Sequence, residues 1–327
     1  AMTGRVRTSH GPVPTSRASP AMTTPIALTM AGSDSSGGAG IQADLKTFAA
    51  LGVYGASVIT ALTAQNTQGV TGIYQVAADF VTAQIDAVFS DLAIGAVKIG
   101  MVAELSVIGA IAAGLAKWQP KHVVLDPVMV ATSGDRLLKV DAIEALRRTL
   151  IPMASLITPN LPEAAALLDE AVATTESGIA DQGKRLLAFG PRAVLIKGGH
   201  GKGAESIDYL VTASGTIPLS ALRVATRNTH GTGCSLSSAV AAGLAKGKDM
   251  ETAVRSARDS SERNGRLLFV GNLARILFEN SLLPFWKGSH VAPRFTLTFS
   301  SAISPTVVGR GLRTVRRAGF AAGQEFE

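Results

Sequence analysis

The chain has 327 residues, of which 46% are hydrophobic, and it carries a formal net charge of +7. This length fits one large α/β domain or two small ones, and the apolar content is sufficient for a core that needs no crosslinks. The single cysteine excludes an internal disulfide framework, and no uninterrupted apolar run approaches the roughly 20 residues that span a bilayer.

The positive charge is concentrated at the two ends of the chain. Residues 1–25 contain three arginines and no acidic residue, and residues 260–327 contain nine basic and four acidic residues. The region between them has 19 basic and 20 acidic residues. A nearly neutral body with basic tails indicates solvated ends rather than a polynucleotide-binding face, so nucleic acid is not expected as a partner.

The N-terminal part of the chain predicts a leader followed by a strand, a loop and a helix. Residues 1–25 are rich in Ser, Thr, Pro, Gly and Arg and lack the apolar region of a signal peptide, which predicts a disordered leader. The apolar run 26–31 predicts a strand, and the spacing of residues 41–51 predicts a helix. The glycines at 32–40 lack the spacing of a dinucleotide fingerprint, so we expect this loop to let backbone approach a small ligand.

From residue 56 onward, apolar runs alternate with helical patterns. The predicted strands are 56–64, 72–76, 96–100, 122–128, 156–158, 193–197, 206–211, 216–219 and 223–225. The predicted helices are 78–89, 106–117, 140–150, 161–168, 177–189, 234–246 and 250–259. Continuous apolar strands separated by helices of this length predict an α/β fold with a mostly parallel sheet covered on both faces.

Several polar residues follow predicted strands, and in such sheets ligands collect at the carboxyl ends of strands. Gln65 offers donors and an acceptor to the edge of a heteroaromatic ring, or it satisfies loop backbone. Asp126 is placed to hold Mg²⁺, to orient a hydroxyl or to cap a loop. Lys197 precedes a glycine-rich turn, where it either meets a phosphate as a point charge or stays solvated. Asn160 and Glu163 have the spacing of a capping box, and spacing alone favours that structural role.

Residues 229–234, Thr-His-Gly-Thr-Gly-Cys, lead into an alanine-rich helical pattern. A glycine turn at a helix N-terminus directs several backbone N–H groups to one point and favours an anion such as phosphate, although a plain strand-to-helix connection is the alternative. Cys234 lies in the first helical turn, where the helix dipole favours the thiolate and predicts a lowered pKa. His230 beside the turn either acts in catalysis or shapes the loop.

Seven segments form one collinear series along the chain. They are residues 31–46 (AGSDSSGGAGIQADLK), 58–67 (VITALTAQNT), 98–101 (KIGM), 126–128 (DPV), 156–164 (LITPNLPEA), 197–200 (KGGH) and 228–234 (NTHGTGC). Together they resemble the bacterial hydroxymethylpyrimidine/phosphomethylpyrimidine kinases of thiamine biosynthesis, over residues 26–259. The resemblance implies a ribokinase-like three-layer α/β/α fold and a cytoplasmic homodimer. It also implies that ATP and Mg²⁺ serve the phosphorylation of 4-amino-5-hydroxymethyl-2-methylpyrimidine, and then of its monophosphate to the diphosphate.

The resemblance also implies roles on the side of the pyrimidine. Gln65 would read the edge of the ring. The remaining residues that would line the pocket are Gly32, Asp44, Met101 and Val128. Cys234 would act as the base that faces the acceptor.

On the side of the nucleotide, the resemblance implies a second group of residues. Gly231, Thr232 and Gly233 would supply N–H groups to the transferring phosphoryl group. Asn160 and Glu163 match an Asn-x-x-Glu motif that organises Mg²⁺ through water, which replaces the purely structural interpretation of their spacing. Lys197 and Asp126 would lie beside the phosphates and the metal.

The resemblance ends near residue 259. The chain is therefore predicted to divide into a leader (1–25), a kinase domain (26–259) and a divergent basic segment (260–327). Two alternatives to the pyrimidine kinase remain open at this point. One is pyridoxal kinase, which shares the fold and phosphorylates a similar heteroaromatic alcohol. The other is a pyrimidine-binding protein without catalytic activity.

Overall fold

The structure, a computed structural model, describes residues 24–66, 68–129, 138, 140–198, 205–222 and 231–267. The statements below concern these residues. The predicted leader through residue 23, the strand expected at 223–225, His230 and residues 268–327 lie outside them. The division of the chain into three regions therefore stays a prediction.

The strands of the described residues form one large sheet and one small sheet. The large sheet contains eight strands: β1 (Ile26–Ala31), β2 (Tyr54–Ile59), β5 (Ala96–Ile99), β6 (Val123–Leu125), β7 (Leu156–Ile157), β8 (Ala193–Ile196), β9 (Glu205–Thr212) and β10 (Gly215–Leu222). The small sheet contains β3 (Ala61–Asn66) and β4 (Gly69–Gln75), which are antiparallel.

The large sheet has the strand order β10-β9-β8-β7-β6-β5-β1-β2. The six strands from β8 to β2 are parallel, and β9 and β10 are added antiparallel at one edge. The expectation of a mostly parallel sheet is therefore confirmed. Five of the parallel strands, β1 and β5 to β8, are short and almost wholly buried, as their mainly apolar runs indicate, whereas most residues of the edge strand β2 are only partly buried.

Helices connect the strands. They are α1 (Gly40–Ala50), α2 (Ala78–Asp91), α3 (Leu105–Trp118), α4 (Val140–Ala145), α5 (Leu161–Leu168), α6 (Glu176–Leu187), α7 (Thr232–Ala245) and α8 (Met250–Leu267). A π-helical turn at Leu146–Leu150 and a 3₁₀ turn at Ile151–Met153 continue α4. Within the described part of the chain, no helix combines the length and the apolar character that crossing a membrane requires.

Two hydrophobic clusters, one on each face of the large sheet, make the three layers. One cluster packs the apolar side chains of α2 to α6 against alternate strand residues such as Leu28 and Val97. The other packs α1, α7 and α8 against the intervening residues, such as Ala27 and Ala96. Since successive side chains of a strand point to opposite faces, the parallel strands β1, β5, β6, β7 and β8 each contribute to both clusters.

The predicted strand at 56–64 is wrong in one respect, because this apolar run forms parts of two strands in different sheets. Thr60 separates them: its N–H bonds the carbonyl of Ala31 in the large sheet, and its own carbonyl accepts from Val76 beyond the small sheet. The chain leaves the large sheet at this residue. The predicted strand at 122–128 also ends earlier, at Leu125, so Asp126 already lies in the connection that follows.

Candidate active site

The turn that opens α7 begins with Gly231, whose φ of +76° lies in the left-handed region. A Cβ at this position would lie only 1.8 Å from the carbonyl oxygen of Gly38, so no larger residue fits. The helix begins at Thr232, two residues before the predicted start. N–H groups in the first turn of a helix have no acceptor within the helix, so this turn can direct donors at a bound anion.

The glycine-rich loop after β1 is held in shape by a buried carboxylate. Asp34 accepts hydrogen bonds from the backbone N–H groups of Ser36 (2.8 Å), Gly38 (3.0 Å) and Ala39 (2.7 Å). Gly40 has a φ of +56°, and a Cβ there would lie 2.4 Å from the carbonyl oxygen of Gly32. The loop therefore packs closely on itself and on the Gly231 turn, and it forms one wall of the site.

Cys234 lies in the first turn of α7 and is partly exposed. The backbone N–H of Gly40 donates a hydrogen bond to its sulfur. The pKa of the thiol is raised from 9.0 to about 11: burial is the largest cause, the carboxylates of Asp44 and Asp126 add to the rise, and the Lys98 ammonium group and the Gly40 N–H oppose it. The expectation of a lowered thiol pKa is therefore wrong for the ligand-free protein, because burial and the carboxylates outweigh the helix dipole.

Four of the residues predicted for the pyrimidine pocket lie in β3 or just beyond the carboxyl ends of parallel strands. Gly32 and Met101 are in contact, since a Cβ on Gly32 would lie 2.8 Å from the methyl carbon of Met101. Gln65 lies beside a bulge in β3, and its side-chain oxygen accepts a hydrogen bond from the Thr63 hydroxyl (3.1 Å). Val128 follows β6 and is partly exposed. Three of these residues follow β1, β5 and β6 at the carboxyl ends of the parallel strands, and Gln65 belongs to β3 of the small sheet.

Asp44, the fifth residue predicted for the pocket, has a different environment because its side chain is completely buried. Its carboxylate accepts hydrogen bonds from the hydroxyls of Thr29 and Ser238, each at 2.6 Å. The ammonium group of Lys98 lies 2.9 Å and 2.8 Å from its two oxygens. Asp44 therefore lies beneath the loop and α7, where it joins several elements.

A third buried carboxylate, Asp126, lies close to the glycine turn that opens α7. Its Oδ1 accepts from the Lys197 ammonium group (2.8 Å) and the Thr158 hydroxyl (3.0 Å), and its Oδ2 accepts from the Ser237 hydroxyl (3.2 Å). A Cβ on Gly233 would lie 3.2 Å from Lys197 Nζ and 3.7 Å from Asp126 Oδ2. The lysine, the carboxylate and the glycine turn therefore meet at one point.

Glu163 lies beside Lys197 and Asp126, and these three side chains form the charged group of the site. Glu163 Oε2 is 4.0 Å from Lys197 Nζ. Burial raises the pKa of Glu163 from 4.5 to about 7, although Lys197 opposes the rise. Burial also disfavours charge on Lys197, but Asp126 and Glu163 raise the pKa of this lysine above its ordinary value. Burial acts against ionised Asp126 as well, and Lys197 and Lys98 nevertheless lower its pKa.

The capping box predicted from the spacing of Asn160 and Glu163 is present. The Asn160 side chain accepts from the Glu163 N–H and the Glu163 carboxylate accepts from the Asn160 N–H, both at 2.8 Å. The box fixes Glu163 at the N-terminus of α5, close to Lys197. A backbone bridge between Asn160 and Lys197 joins the connections that follow β7 and β8. A structural role for the pair therefore coexists with its position beside the charged group.

All these groups meet at the carboxyl ends of the parallel strands and at the N-terminus of α7, where α/β sheets bind ligands. Phosphoryl transfer requires positioned charge and N–H donors rather than covalent chemistry from the protein. A glycine turn, a lysine and two carboxylates supply these charges and donors, and a thiol lies beside them. The fold and the site therefore define a kinase of the ribokinase-like class.

Comparison with known proteins identifies the family. A family model described as phosphomethylpyrimidine kinase matches residues 34–263, and the chain belongs to this family. The hydroxymethylpyrimidine/phosphomethylpyrimidine kinase of Rhizobium meliloti is 57% identical over 235 residues, which cover 72% of this chain and 88% of that protein.

Two solved structures resemble the fold. The crystal structure of phosphomethylpyrimidine kinase from Clostridium difficile 630 has a TM-score of 0.66 and 44% identity, over 73% of this chain and 98% of that chain. Pyridoxal kinase from Staphylococcus aureus in complex with AMP-PCP, an ATP analogue, has a TM-score of 0.67 and 31% identity, over 72% of this chain and 86% of that chain.

Sequence reasoning missed the buried side chains that support the site, which are Thr29, Asp34, Lys98, Ser237 and Ser238. A lysine inside the apolar strand 96–100 was a usable signal, because lysine is almost never fully buried unless it is paired. The two serines within the alanine-rich helix were a weaker signal. Nothing in the local pattern indicated that these residues share partners.

Proposed function

We propose that this protein is an ATP-dependent kinase that phosphorylates hydroxymethylpyrimidine and then converts the monophosphate to the diphosphate. Membership of a kinase family supports the use of ATP. The observation that carries the proposal is that Lys197, Asp126 and the Gly231 turn meet beside Cys234, at the carboxyl ends of the parallel strands. The transferring phosphoryl group would lie between these donors and the thiol.

On the acceptor side, the side-chain amide of Gln65 would read the edge of the pyrimidine ring. Gly32, Met101 and Val128 would line the pocket, and the absence of a side chain at Gly32 lets the methyl carbon of Met101 pack against the backbone there. Asp44 would support this wall from beneath through Thr29 and Ser238 rather than by direct contact.

In the first phosphorylation, the hydroxyl oxygen of the pyrimidine alcohol forms a bond to the γ-phosphorus of ATP. The bond from that phosphorus to the β,γ-bridging oxygen breaks, and ADP leaves with this oxygen. The hydroxyl proton passes to the sulfur of Cys234 in its thiolate form. Because the thiol pKa in the ligand-free protein is about 11, the thiolate is a minor species at neutral pH but a strong proton acceptor.

In the second phosphorylation, the acceptor is an oxygen of the monophosphate. A phosphate monoester has a second pKa of about 6, so this oxygen is already ionised at pH 8 and needs no base. N–H groups of Gly231, Thr232 and Gly233, together with the Lys197 ammonium group, would stabilise charge on the transferring group in both steps. The two steps therefore depend differently on Cys234.

The charged group also fits a magnesium ion. Mg²⁺ is usually bound by one or two carboxylates together with substrate phosphates, and Asp126 and Glu163 both approach Lys197 from different elements. Asp126 and Glu163 would hold the ion, and Asn160 would fix Glu163 through the capping box. When bound, the ion neutralises phosphate oxygens and favours ADP as a leaving group.

We also propose that the protein is a cytoplasmic homodimer. Large apolar side chains are exposed on and near the small sheet: Leu62 and Tyr74 are cross-strand partners in β3 and β4, and Tyr54 and Phe80 lie close by in sequence. Tyr74 and Phe80 are 72% and 62% exposed. Exposed apolar side chains of this size support a protein–protein contact, and the family resemblance favours a second copy.

The test is incubation of the full chain with hydroxymethylpyrimidine, ATP and Mg²⁺, with mass detection of both pyrimidine phosphates and a coupled assay of ADP. The proposal predicts the monophosphate first, the diphosphate later, and one ADP for each phosphoryl group transferred. Binding of the pyrimidine without ADP formation would favour the non-catalytic alternative. ADP formation with pyridoxal but not with hydroxymethylpyrimidine would favour pyridoxal kinase.

A further inference from the structure

Lys98 carries a buried charge to which the proposed reaction assigns no role. It lies in β5, in the middle of an apolar strand, with a side-chain exposure of 0%. An ammonium group in the interior is strongly unfavourable unless charged and hydrogen-bonding partners compensate it. The position of those partners therefore indicates what the lysine does.

The partners of Lys98 join four elements on one face of the sheet. Both oxygens of Asp44 in α1 accept from the ammonium group, at 2.9 Å and 2.8 Å. The same carboxylate accepts from Thr29 of β1 and from Ser238 of α7. Thr29 and Lys98 are paired in the register of β1 and β5, so both side chains point to the face covered by α1 and α7.

A parallel arrangement lies on the nucleotide side, where Lys197, Asp126 and Ser237 are joined in the same way. Ser237 and Ser238 follow Cys234 by three and four positions in α7. Residues at these spacings lie on the same side of a helix, so both serines lie one turn below the thiol. Two lysine–carboxylate pairs therefore anchor the turn of α7 that carries Cys234, one on each side.

We propose that Lys98 is a positioning residue for Cys234: through Asp44 and Ser238 it fixes the first turns of α7, and its ammonium charge stabilises the thiolate. The inference rests on the proposed function, in which Cys234 takes the hydroxyl proton. Lys98 acts through its contact with Asp44 and through the electrostatic attraction between its ammonium charge and the thiolate. It is not expected to touch a substrate.

Four charged groups face the thiol from the elements packed around it, namely Lys98, Asp44, Asp126 and Lys197. Of these, Lys98 has the largest influence on the thiol, and it acts to lower the thiol pKa. The opposing influence of Asp44 is smaller. Loss of the Lys98 charge is therefore expected to raise the pKa of Cys234, both alone and together with loss of the Asp44 charge.

The test is the rate of alkylation by iodoacetamide as a function of pH in the full-length protein and in Lys98→Met. Cys234 is the only cysteine of the chain, so the reaction reports this thiol alone. A rise of one pKa unit lowers the thiolate fraction about tenfold, and the greater nucleophilicity of a more basic thiolate recovers about threefold. The rate at pH 8 is therefore expected to be lower, by about threefold for each unit by which the thiol pKa rises. Turnover of hydroxymethylpyrimidine is expected to fall with it.

If Lys98 had only a structural role, its loss would change the alkylation rate in the opposite direction. If Lys98 only holds the fold together, its loss loosens α7, exposes the sulfur and accelerates alkylation. Lys98→Met leaves a buried carboxylate without its partner, so the second variant is Lys98→Met with Asp44→Asn, which removes the ion pair as a unit and is far less destabilising. The matched control is Lys117→Met, because Lys117 pairs with Asp86 on the surface and is 57% exposed.

Slower alkylation in both Lys98 variants, with an unchanged rate in the control, supports the proposal. An equal or faster rate in the folded double variant overturns it. Alkylation requires neither ATP nor a pyrimidine. Failure of the proposed kinase activity and failure of this inference are therefore distinguished.

Discussion

Replacement of Cys234 by alanine separates the two phosphorylations. The substitution removes the proposed base and the acceptor of the Gly40 N–H, and it leaves Gln65, Lys197 and the Gly231 turn in place. The first step needs a proton acceptor because its nucleophile is a hydroxyl. The second step uses a phosphate oxygen that is ionised at pH 8. We expect the first step to fall far more than the second.

The size of the effect follows from the pKa of the thiol. With a pKa of about 11, about one Cys234 thiol in a thousand is ionised at pH 8. A positioned base contributes about 10² to 10⁴ in rate, and the small thiolate fraction places the expected loss near the lower limit. The predicted fall for hydroxymethylpyrimidine is therefore about 10²-fold in kcat, or about 3 kcal/mol in activation free energy. The predicted fall for the monophosphate is less than about fivefold on the same scale.

The assay measures ADP release with each acceptor supplied separately, and calorimetry measures pyrimidine binding. The matched control is Ser90→Ala, which removes one side-chain atom from an exposed position of α2. The Kd of Cys234→Ala for the pyrimidine is expected to lie within about threefold of that of the unsubstituted protein, because Gln65 remains in place. A factor of three corresponds to less than about 1 kcal/mol. Equal losses in both steps, or an unchanged first step, would refute the assignment of Cys234 as the base.

Three further predictions concern other parts of the site. Lys197→Met is expected to raise the KM for ATP at least about tenfold, because it removes a positive charge beside the proposed phosphate position, and an unchanged KM would contradict this. Gly231→Ala is expected to lower the melting temperature and abolish turnover, since a Cβ there would lie 1.8 Å from the Gly38 carbonyl oxygen; a stable, active variant would contradict the turn geometry. The pKa of Glu163 is raised from 4.5 to about 7, so the folded protein holds this proton more tightly than the unfolded chain. This contribution to stability is full below about pH 4.5 and is lost as the pH rises through 7. Melting temperatures of the ligand-free protein between pH 5 and 8 should fall less steeply in Glu163→Gln, and identical slopes would contradict the shift.

Most of the fold could be predicted from the sequence because five of the six parallel strands are short, buried on both faces and mainly apolar. Their order in the sheet could not be read from this pattern, nor could the departure of the chain from the large sheet at Thr60. The apolar run continues on both sides of that residue. The change of sheet depends on partners at Ala31 and Val76, and the local sequence contains no signal for it.

The site was predictable to the extent that it lies at strand ends and at a glycine turn, which is where Asp126, Lys197 and Cys234 are found. The supporting network was not predictable, because Ser238 and Asp44 are 194 residues apart and meet only in the folded chain. The predicted direction of the thiol pKa shift was wrong for the same reason. The helix dipole is a local property of the sequence, whereas the burial and the carboxylates that outweigh it are tertiary.

The central claim is that this site phosphorylates a pyrimidine alcohol and then its monophosphate. Its most direct test is a competition in one vessel, with equal concentrations of hydroxymethylpyrimidine and pyridoxal, limiting ATP, and mass detection of every phosphorylated product. The ratio of initial products equals the ratio of the two kcat/KM values. The account predicts at least about tenfold more pyrimidine phosphate than pyridoxal phosphate, a difference of about 1.4 kcal/mol, followed by the pyrimidine diphosphate. A ratio below one, or a pyrimidine monophosphate that never proceeds to the diphosphate, would contradict it.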